Sequence, residues 1–232
     1  MILKKWEDLP EELKNEKIKE YYEILKHKKI SLILKRLLDI IMSLILLILF
    51  LPIFLIIGLL IKIDSKCPVF YRQERITTYG KKFRIFKFRT MVQDADKKGS
   101  LVTIGKDSRI TRIGSKIRKC RLDELPQVIN ILIGDMSFVG TRPEVKKYVD
   151  MYTDEMKATL LMPAGVTSTA SIEFKDEDNI ISEYLNKGEK VDDIYRDRIL
   201  PEKMKWNLEY VKKFNFLYDI KVCINTIIGV LK

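Results

Sequence analysis

The 22-residue stretch Ile40–Ile61, IIMSLILLILFLPIFLIIGLLI, contains no charged residue, and only Ser43, Pro52 and Gly58 interrupt its large apolar side chains. As an α-helix it would be about 33 Å long at roughly 1.5 Å per residue, enough to cross a hydrocarbon core of about 30 Å. It begins too far into the chain for a secretory signal peptide. The sequence therefore predicts a membrane-embedded helix here.

Both flanks of this apolar segment are basic. Residues 1–36 contain ten Lys and Arg residues, and residues 62–89 contain nine. Positive flanks favour the cytoplasmic side of a membrane, and a single crossing cannot place both flanks there. Pro52 lies near the middle of the segment, where its ring and missing N–H disrupt a helix. We therefore predict a re-entrant helix-break-helix with its break at Leu51-Pro52; a proline kink in an ordinary span is the alternative.

Three charged residues precede the apolar segment. Asp39 follows Lys35 by four positions and Arg36 by three, so both cations could reach its carboxylate on a helix. An unpaired carboxylate at the membrane boundary would be costly. Two interpretations stay open: a cluster whose charges reach the membrane surface, or a clamp that fixes the start of the re-entrant helix.

Charge and cysteine content exclude several classes of protein. The chain of 232 residues carries 43 Lys and Arg against 32 Asp and Glu, a formal net charge of +11. This excess suits nucleic acid, a phosphorylated substrate or an anionic lipid surface. The three cysteines form no CxxC pair, and His27 is the only histidine. Disulfide frameworks, zinc sites and histidine-dependent triads are therefore not expected, and the cysteines fit a reducing cytosolic compartment.

Hydrophobic periodicity predicts the remaining elements. Residues 1–30 are typical of an amphipathic surface helix, with Asp8 as its cap and Pro10 in its first turn. Two strands are predicted over Val69–Ile76 and Phe83–Phe88, joined by a turn at Tyr79-Gly80. Helices are predicted over Thr111–Leu122 and Glu144–Leu161, and a further helix begins near Asp123. A last short strand is predicted over Val166–Phe174. The apolar stripe of Pro201–Lys232 is either core or an interface-lying helix.

These elements predict an α+β fold that is mainly helical, with a small β-hairpin, a re-entrant membrane helix-break-helix and interfacial amphipathic helices. We divide the chain into an N-terminal amphipathic and basic segment (1–34), the membrane helix (35–62), and a cytosolic catalytic domain with C-terminal interfacial helices (63–232). No internal repeat or low-complexity linker is present.

The densest group of polar signals surrounds the adjacent carboxylates Asp123 and Glu124. Four cations accompany them in the sequence: Lys87, Arg89, Arg118 and Arg142. Cations keep a nearby carboxylate ionised, and they also bind phosphate oxygens, bidentately in the case of arginine. A carboxylate that attacks phosphorus requires this arrangement, together with Mg²⁺ to neutralise charge. Asp123 and Glu124 are accordingly the candidate catalytic and metal-binding residues.

Two rival functions use other residues. Asp94-Ala-Asp96 has the Asp-x-Asp spacing of metal-dependent glycosyltransferases, in which case the enzyme would release UDP. A membrane-tethered nucleic-acid-binding protein would use the basic charge, but no recognisable nucleic-acid module is present, so nucleic acid is not an expected partner. Asp176-Glu-Asp-Asn resembles the start of a calcium loop but lacks its later Gly and Glu, which excludes that site.

From Lys35 to the C-terminus, the chain resembles the monotopic phosphoglycosyl transferases, bacterial enzymes that initiate glycan assembly on polyprenyl phosphate. The blocks that carry the resemblance are Lys35-Arg36-x-x-Asp39, the apolar run with its proline, Pro68-Val-Phe-Tyr-Arg-Gln-Glu-Arg75, Lys87-Phe-Arg-Thr-Met91, Asp107-x-Arg-Ile-Thr-Arg112, Leu122-Asp-Glu-Leu-Pro-Gln127, Gly134-Asp-Met-Ser-Phe-Val-Gly140 and Ile199-Leu-Pro-Glu-Lys203. Residues 1–30 lie outside it.

The resemblance implies that Asp123 attacks the β-phosphate of a UDP-sugar, releases UMP and holds the phosphosugar until polyprenyl (undecaprenyl) phosphate accepts it. Glu124 would bind Mg²⁺ or assist proton transfer, and Lys87, Arg89, Arg118 and Arg142 would bind the substrate phosphates. The enzyme would lie at the cytoplasmic face of the bacterial inner membrane and initiate a capsule, exopolysaccharide or glycoprotein glycan. The sequence leaves open the sugar, the pathway and whether the chain forms a homodimer.

The sequence departs from the family pattern at two places. Thr141 stands where the family has proline before Arg142, and Pro163-Ala-Gly-Val-Thr-Ser168 replaces the usual Pro-Gly-x-Thr-Gly. The second departure leaves the choice of sugar open.

Overall fold

The computed structural model describes residues 2–66, 68–95, 107–174 and 177–231. Over these residues the chain is mostly helical with two small sheets, which confirms the predicted α+β class. The helices are α1 Glu16–Lys26, α2 Lys29–Asp64, α3 Arg112–Lys119, α4 Gln127–Ile133, α5 Lys146–Val149, α6 Thr169–Glu173, α7 Glu177–Asn186, α8 Val191–Ile194, α9 Leu200–Lys213 and α10 Phe216–Leu231. The strands are β1 Phe70–Ile76, β2 Lys82–Phe88, β3 Met136–Val139 and β4 Ala164–Thr167.

The apolar segment lies within α2, which runs for 36 residues without interruption and contains Pro52. The predicted break at Leu51-Pro52 is therefore wrong: the backbone is helical on both sides of the proline. Within the described residues, α2 is long and apolar enough to cross a membrane. Most of its large apolar side chains are exposed, as a lipid-embedded helix requires, among them Ile48, Leu49 and Leu55.

Both ends of α2 contact the rest of the protein. Near its start, Leu32 is fully buried in the largest apolar cluster, together with Val139 and Val222. Near its end, Ile57 and Ile61 pack in a second cluster with Phe88 and Ile117.

The N-terminal segment folds onto the domain that follows α2. Asp8 ends a short 3₁₀ turn rather than capping a helix, so the predicted cap is wrong. The helix begins later, because the Asn15 side chain accepts a hydrogen bond from Ile18 N at 2.9 Å. One face of α1 then packs against the 3₁₀ helix Met156–Leu161 and α9; its buried side chains are Ile18, Tyr21, Tyr22 and Leu25.

The antiparallel hairpin β1–β2 confirms the prediction closely. Tyr71 lies opposite Lys87, and Gln73 lies opposite Ile85. The turn places Tyr79 at φ 58° and Gly80 at φ 74°. Glycine adopts this left-handed backbone without steric cost, which fixes the turn at this point.

The segment between β3 and α6 differs from the prediction. Glu144–Leu161 is not one helix: α5 ends at Val149, and Thr153 Oγ1 accepts from Met156 N at 3.3 Å to start a separate 3₁₀ turn. The strand predicted over Val166–Phe174 stops at Thr167, because Ser168 caps α6 by accepting from Ser171 N.

The parallel pairing of β3 with β4 brings two glycines together. A Cβ on Gly140 would lie 2.3 Å from Pro163 O, and one on Gly165 would lie 2.1 Å from Gly140 N. Only residues without a side chain permit this approach, so the glycines fix the packing of the two strands.

The apolar side chains of the C-terminal segment, predicted to lie either in the core or at the membrane interface, fall into two groups. Tyr210, Val211 and Phe214 are buried in the main apolar cluster, whereas Leu217 and Ile227 are exposed. Helix α10 thus contacts α2 on one side and presents apolar side chains on another.

Candidate active site

The carboxylate pair lies on a tight turn between α3 and α4. Arg121 adopts a left-handed conformation (φ 54°) and directs the chain into the 3₁₀ helix Leu122–Glu124. Consecutive residues of a 3₁₀ helix project about 120° apart, at three residues per turn. Asp123 and Glu124 are therefore adjacent in sequence but point in different directions.

Glu124 contacts two of the predicted cations. Its Oε1 accepts hydrogen bonds from Lys87 Nζ at 2.8 Å and from Arg142 Nη2 at 2.6 Å, and its Oε2 lies 3.5 Å from Arg142 Nη1. Burial alone would raise the pKa of Glu124, but the charges of Arg142 and Lys87 outweigh it and hold that pKa well below the usual range. Glu124 in turn raises the pKa of Arg142. The three groups form a charged unit fixed beside Asp123.

Asp123 lines a cavity of about 270 Å³ with three of the four predicted phosphate-binding residues, Lys87, Arg89 and Arg118. The fourth, Arg142, contacts Glu124 and does not line this cavity. Burial raises the pKa of the Asp123 carboxyl, while the charge of Lys87 acts in the opposite direction. Lys87 contacts Glu124 and also lines the cavity, so it joins the charged unit to the pocket. The cavity therefore combines an acidic group with several cations, as phosphate chemistry requires.

Asn130 fixes the carboxylate turn against the hairpin. Its Oδ1 accepts from Phe86 N at 2.8 Å, and its Nδ2 donates to Arg84 O at 3.0 Å. The fully buried Asn130 side chain thus bonds to the free edge of β2, the strand that carries Lys87. These two hydrogen bonds join α4, which follows the carboxylate turn, to β2, the strand whose Lys87 pairs with Glu124.

The cluster before the membrane segment pairs differently from the prediction. Lys35 Nζ lies 2.6 Å from Asp219 Oδ2 and not against Asp39. Asp39 instead accepts hydrogen bonds from Ser137 Oγ at 3.0 Å and Phe138 N at 3.1 Å. The predicted ion pairs with Asp39 are therefore wrong, because partners distant in sequence lie closer than the neighbouring turn of the helix.

Arg36 also takes distant partners. It donates to Ile131 O at 2.6 Å and Leu132 O at 2.7 Å, at the C-terminal end of α4. Unpaired carbonyls and the helix dipole make that end a favourable site for a cation. Lys35, Arg36 and Asp39 therefore attach α2 to the domain, as the clamp interpretation requires, and Pro52 lies far along α2 from them.

The sequence alone did not single out several pocket residues. Gln73 and Arg75 on β1 line the cavity, as does Arg109. The signal for the first two was alternation: with Tyr71, which pairs with Lys87, they occupy one face of β1. Arg109 forms a bidentate pair with Asp107, at 2.9 and 2.6 Å, which lowers the pKa of Asp107 to about 2.

The rival Asp-x-Asp site is only partly described. Asp94 is exposed and lines the cavity. Asp96 lies outside the described residues, as does Asp176 of the excluded calcium loop. In the part of the chain that the structure describes, no three His, Cys, Asp or Glu side chains form a metal-binding group.

A family model described as bacterial sugar transferase matches residues 30–232. The chain belongs to the bacterial sugar transferase family. This sugar transferase is 34% identical over 205 residues to the UDP-N-acetylgalactosamine-undecaprenyl-phosphate N-acetylgalactosaminephosphotransferase of Aeromonas hydrophila, a match that covers 87% of this chain and 44% of that protein.

Two further relatives show the same pattern. The sugar transferase is 33% identical over 200 residues to the uncharacterized sugar transferase EpsL of Bacillus subtilis (strain 168), covering 86% of this chain and 88% of that protein. It is 32% identical over 203 residues to the UDP-glucose:undecaprenyl-phosphate glucose-1-phosphate transferase of Escherichia coli (strain K12), covering 85% and 40%. The chain thus spans less than half of the Aeromonas and Escherichia proteins.

Proposed function

We propose that this sugar transferase moves a sugar-1-phosphate from a UDP-sugar to undecaprenyl or another polyprenyl phosphate, releases UMP, and thereby initiates a cell-surface glycan. The observation that carries the proposal is the half-buried carboxyl of Asp123 in a cavity lined by Lys87, Arg89 and Arg118. The relatives named for transfer to undecaprenyl phosphate support the substrate class.

The reaction has two displacements at phosphorus. An oxygen of Asp123 attacks the β-phosphorus of the donor, the bond from that phosphorus to the α–β bridging oxygen breaks, and UMP leaves with the electron pair. A phosphate oxygen of the polyprenyl carrier then attacks the same phosphorus, and the Asp123 carboxylate departs unchanged. A phosphate monoester is largely dianionic at neutral pH, so the second attack needs no base.

The cations have separate tasks in this scheme. Lys87, Arg89 and Arg118 line the cavity and bind phosphate oxygens of the donor. Arg142 acts through Glu124, which it contacts at 2.6 Å. Because Glu124 fixes both Lys87 and Arg142, those cations need not reorganise as charge develops on the phosphoryl group.

Asp123 and Glu124 fit a magnesium site completed by substrate. Mg²⁺ usually takes one or two carboxylates plus substrate phosphates and waters. Glu124 Oε1 accepts hydrogen bonds from two cations. Among the described residues, Oε2 has only the 3.5 Å contact with Arg142, so it retains lone pairs. When bound, the ion would neutralise charge on the diphosphate.

The structure supports a location on one face of the membrane. The start of α2 packs on Val139 and its end packs on Phe88 and Ile117, all parts of the domain that contains Asp123. Asp64 also accepts a hydrogen bond from Ile113 N at 3.0 Å. A domain bound to both ends of an apolar helix cannot lie on two sides of a bilayer. We therefore propose that α2 enters and leaves the membrane on the same side, although it is not broken at Leu51-Pro52, with the domain at the cytoplasmic face.

A donor assay tests the proposed function. UDP-sugars labelled in the sugar and in the β-phosphate are incubated with undecaprenyl phosphate, membranes containing the protein, and Mg²⁺ or a chelator. We expect UMP as product, both labels in the lipid, and no turnover with the chelator or with Asp123→Asn. Release of UDP, with the phosphate label left in the nucleotide, would instead favour the Asp94 glycosyltransferase.

A further inference from the structure

One end of the catalytic cavity extends along β1, away from the carboxylate turn. Tyr71, Gln73 and Arg75 all line it. They alternate along the strand and share a face, with Tyr71 paired to Lys87. At about 3.3 Å per residue, Gln73 lies roughly 7 Å along the strand from Tyr71. If a phosphate of the donor is bound at Lys87, opposite Tyr71, a sugar attached to that phosphate would therefore extend to Gln73.

Arg75 is held from several sides. It donates to Pro143 O at 3.1 Å and to Gln73 Oε1 at 2.7 Å, and its Nη1 lies 3.9 Å from Glu144 Oε2. Glu144 is itself buried and accepts a hydrogen bond from Tyr195 OH. The charge of Arg75 is thus balanced by a protein carboxylate, so this end of the cavity offers a phosphate little uncompensated positive charge.

The contact with Arg75 fixes the orientation of the Gln73 amide. A guanidinium only donates hydrogen bonds, so the atom that faces it must be the amide oxygen. The Gln73 –NH₂ group therefore points elsewhere, and among the described residues none accepts a hydrogen bond from it. Because Gln73 lines the cavity, these two donors are available to a ligand.

Other cations line the cavity as well and could bind the second phosphate. They are Arg89, which follows β2, and Arg118, whereas Arg109 is already paired with Asp107. A donor attacked at its β-phosphorus has the nucleotide on one side and the sugar on the other. The nucleotide side therefore matches the cations Arg89 and Arg118, away from Gln73.

We propose that Gln73 is a sugar-recognising residue, whose amide N–H groups donate to a hydroxyl or acetamido oxygen of the donor sugar. Arg75 is the positioning residue that fixes the amide. This assignment rests on the proposed function. It predicts that selectivity among sugars depends on the oxygen opposite Gln73.

Substitution of Gln73 tests the assignment. Gln73→Leu keeps the approximate size and removes the donors. We measure kcat/KM for the preferred UDP-sugar and for analogues that each lack one sugar oxygen, together with inhibition by UMP, which has no sugar. In the wild type, removal of one particular sugar oxygen should lower kcat/KM. We expect the ratio of kcat/KM between the full sugar and that analogue to be about tenfold smaller in Gln73→Leu, and inhibition by UMP to be unchanged.

Two further variants complete the test. Glu74→Leu is the matched control, because Glu74 is the next residue on β1, is exposed, and pairs with Lys82 away from the cavity. It should keep the wild-type preference. Arg75→Met should lose the same preference as Gln73→Leu, and Arg75→Lys should restore part of it, which a merely structural role would not do.

Several results would overturn the assignment. If the wild type is active and Gln73→Leu keeps its preference, Gln73 does not contact the sugar. If UMP inhibition weakens instead, Gln73 contacts the nucleotide. If the wild type releases no UMP from any UDP-sugar, the proposed function itself fails, and this assignment fails with it.

Discussion

Lys87 Nζ lies 2.8 Å from Glu124 Oε1, across 37 residues of sequence. This ion pair joins the strand that supplies a phosphate-binding cation to the turn that presents Asp123. The two adjacent carboxylates consequently have different environments. Glu124 is compensated by two cations, whereas Asp123 is half-buried, has a raised pKa and lines the cavity.

The two carboxylates should respond oppositely to neutralisation. Glu124→Gln leaves Lys87 and Arg142 without their counter-charge, and we expect a loss of about 3 kcal/mol in the free energy of unfolding. Asp123→Asn removes a charge that burial disfavours, so stability should stay within about 0.5 kcal/mol or rise. Both variants should lose activity. Denaturant unfolding in detergent measures the difference, and equal destabilisation by both variants would contradict it.

Lys35 and Asp219 form a buried ion pair, and removal of one partner should destabilise the fold more than removal of both. Lys35→Met leaves Asp219 buried without a cation, although Tyr210 OH still donates to it at 2.7 Å. We expect the single variant to lose about 3 to 5 kcal/mol of unfolding free energy. Adding Asp219→Leu should restore much of that loss, and a double-variant cycle measures the coupling. Additive losses would show that the two residues act independently.

The N-terminal segment should contribute to stability although it precedes the family match. Leu25 is fully buried among the residues of the main apolar cluster. Leu25→Ala should therefore cost about 2 to 5 kcal/mol of unfolding free energy. Glu20→Ala, an exposed position on the same helix, is the control and should change stability by no more than about 0.5 kcal/mol. Equal stability of both variants would exclude a packing role for α1.

Cysteine labelling should locate both flanks of α2 on the same side of the membrane. Single cysteines are introduced at Glu20 and Lys66 after Cys67, Cys120 and Cys223 are replaced by alanine. In intact bacterial cells, neither position should react with an impermeant maleimide, and both should react after the cells are opened. Labelling of either position from outside would refute the re-entrant topology.

Cys223 should be unreactive at ordinary pH. Burial raises the pKa of its thiol to about 11, and Asp219 adds to the effect. Only the thiolate reacts with iodoacetamide, so alkylation of Cys223 should be negligible at pH 8 and increase as the pH approaches 11. The exposed Cys120 is the internal reference, and peptide mass spectrometry measures both sites. Equal alkylation at pH 8 would show that α10 does not pack on α2 as described.

Local patterns predicted the elements that depend on local interactions. The uncharged run Ile40–Ile61 predicted an apolar helix, and alternation predicted the hairpin β1–β2. The predictions that failed lie where side chains redirect the backbone. Thr153 and Ser168 accept hydrogen bonds from nearby backbone N–H groups, which ended the predicted helix over Glu144–Leu161 and the predicted strand over Val166–Phe174.

The sequence by itself determined the chemical types at the candidate site: two adjacent carboxylates, several cations and an apolar helix. Only the tertiary structure decided which charge meets which. Lys35 pairs with Asp219, 184 residues away, instead of with Asp39 on the next turn. The strength of an ion pair depends on distance and burial in three dimensions, and spacing along the chain determines neither for residues on different elements.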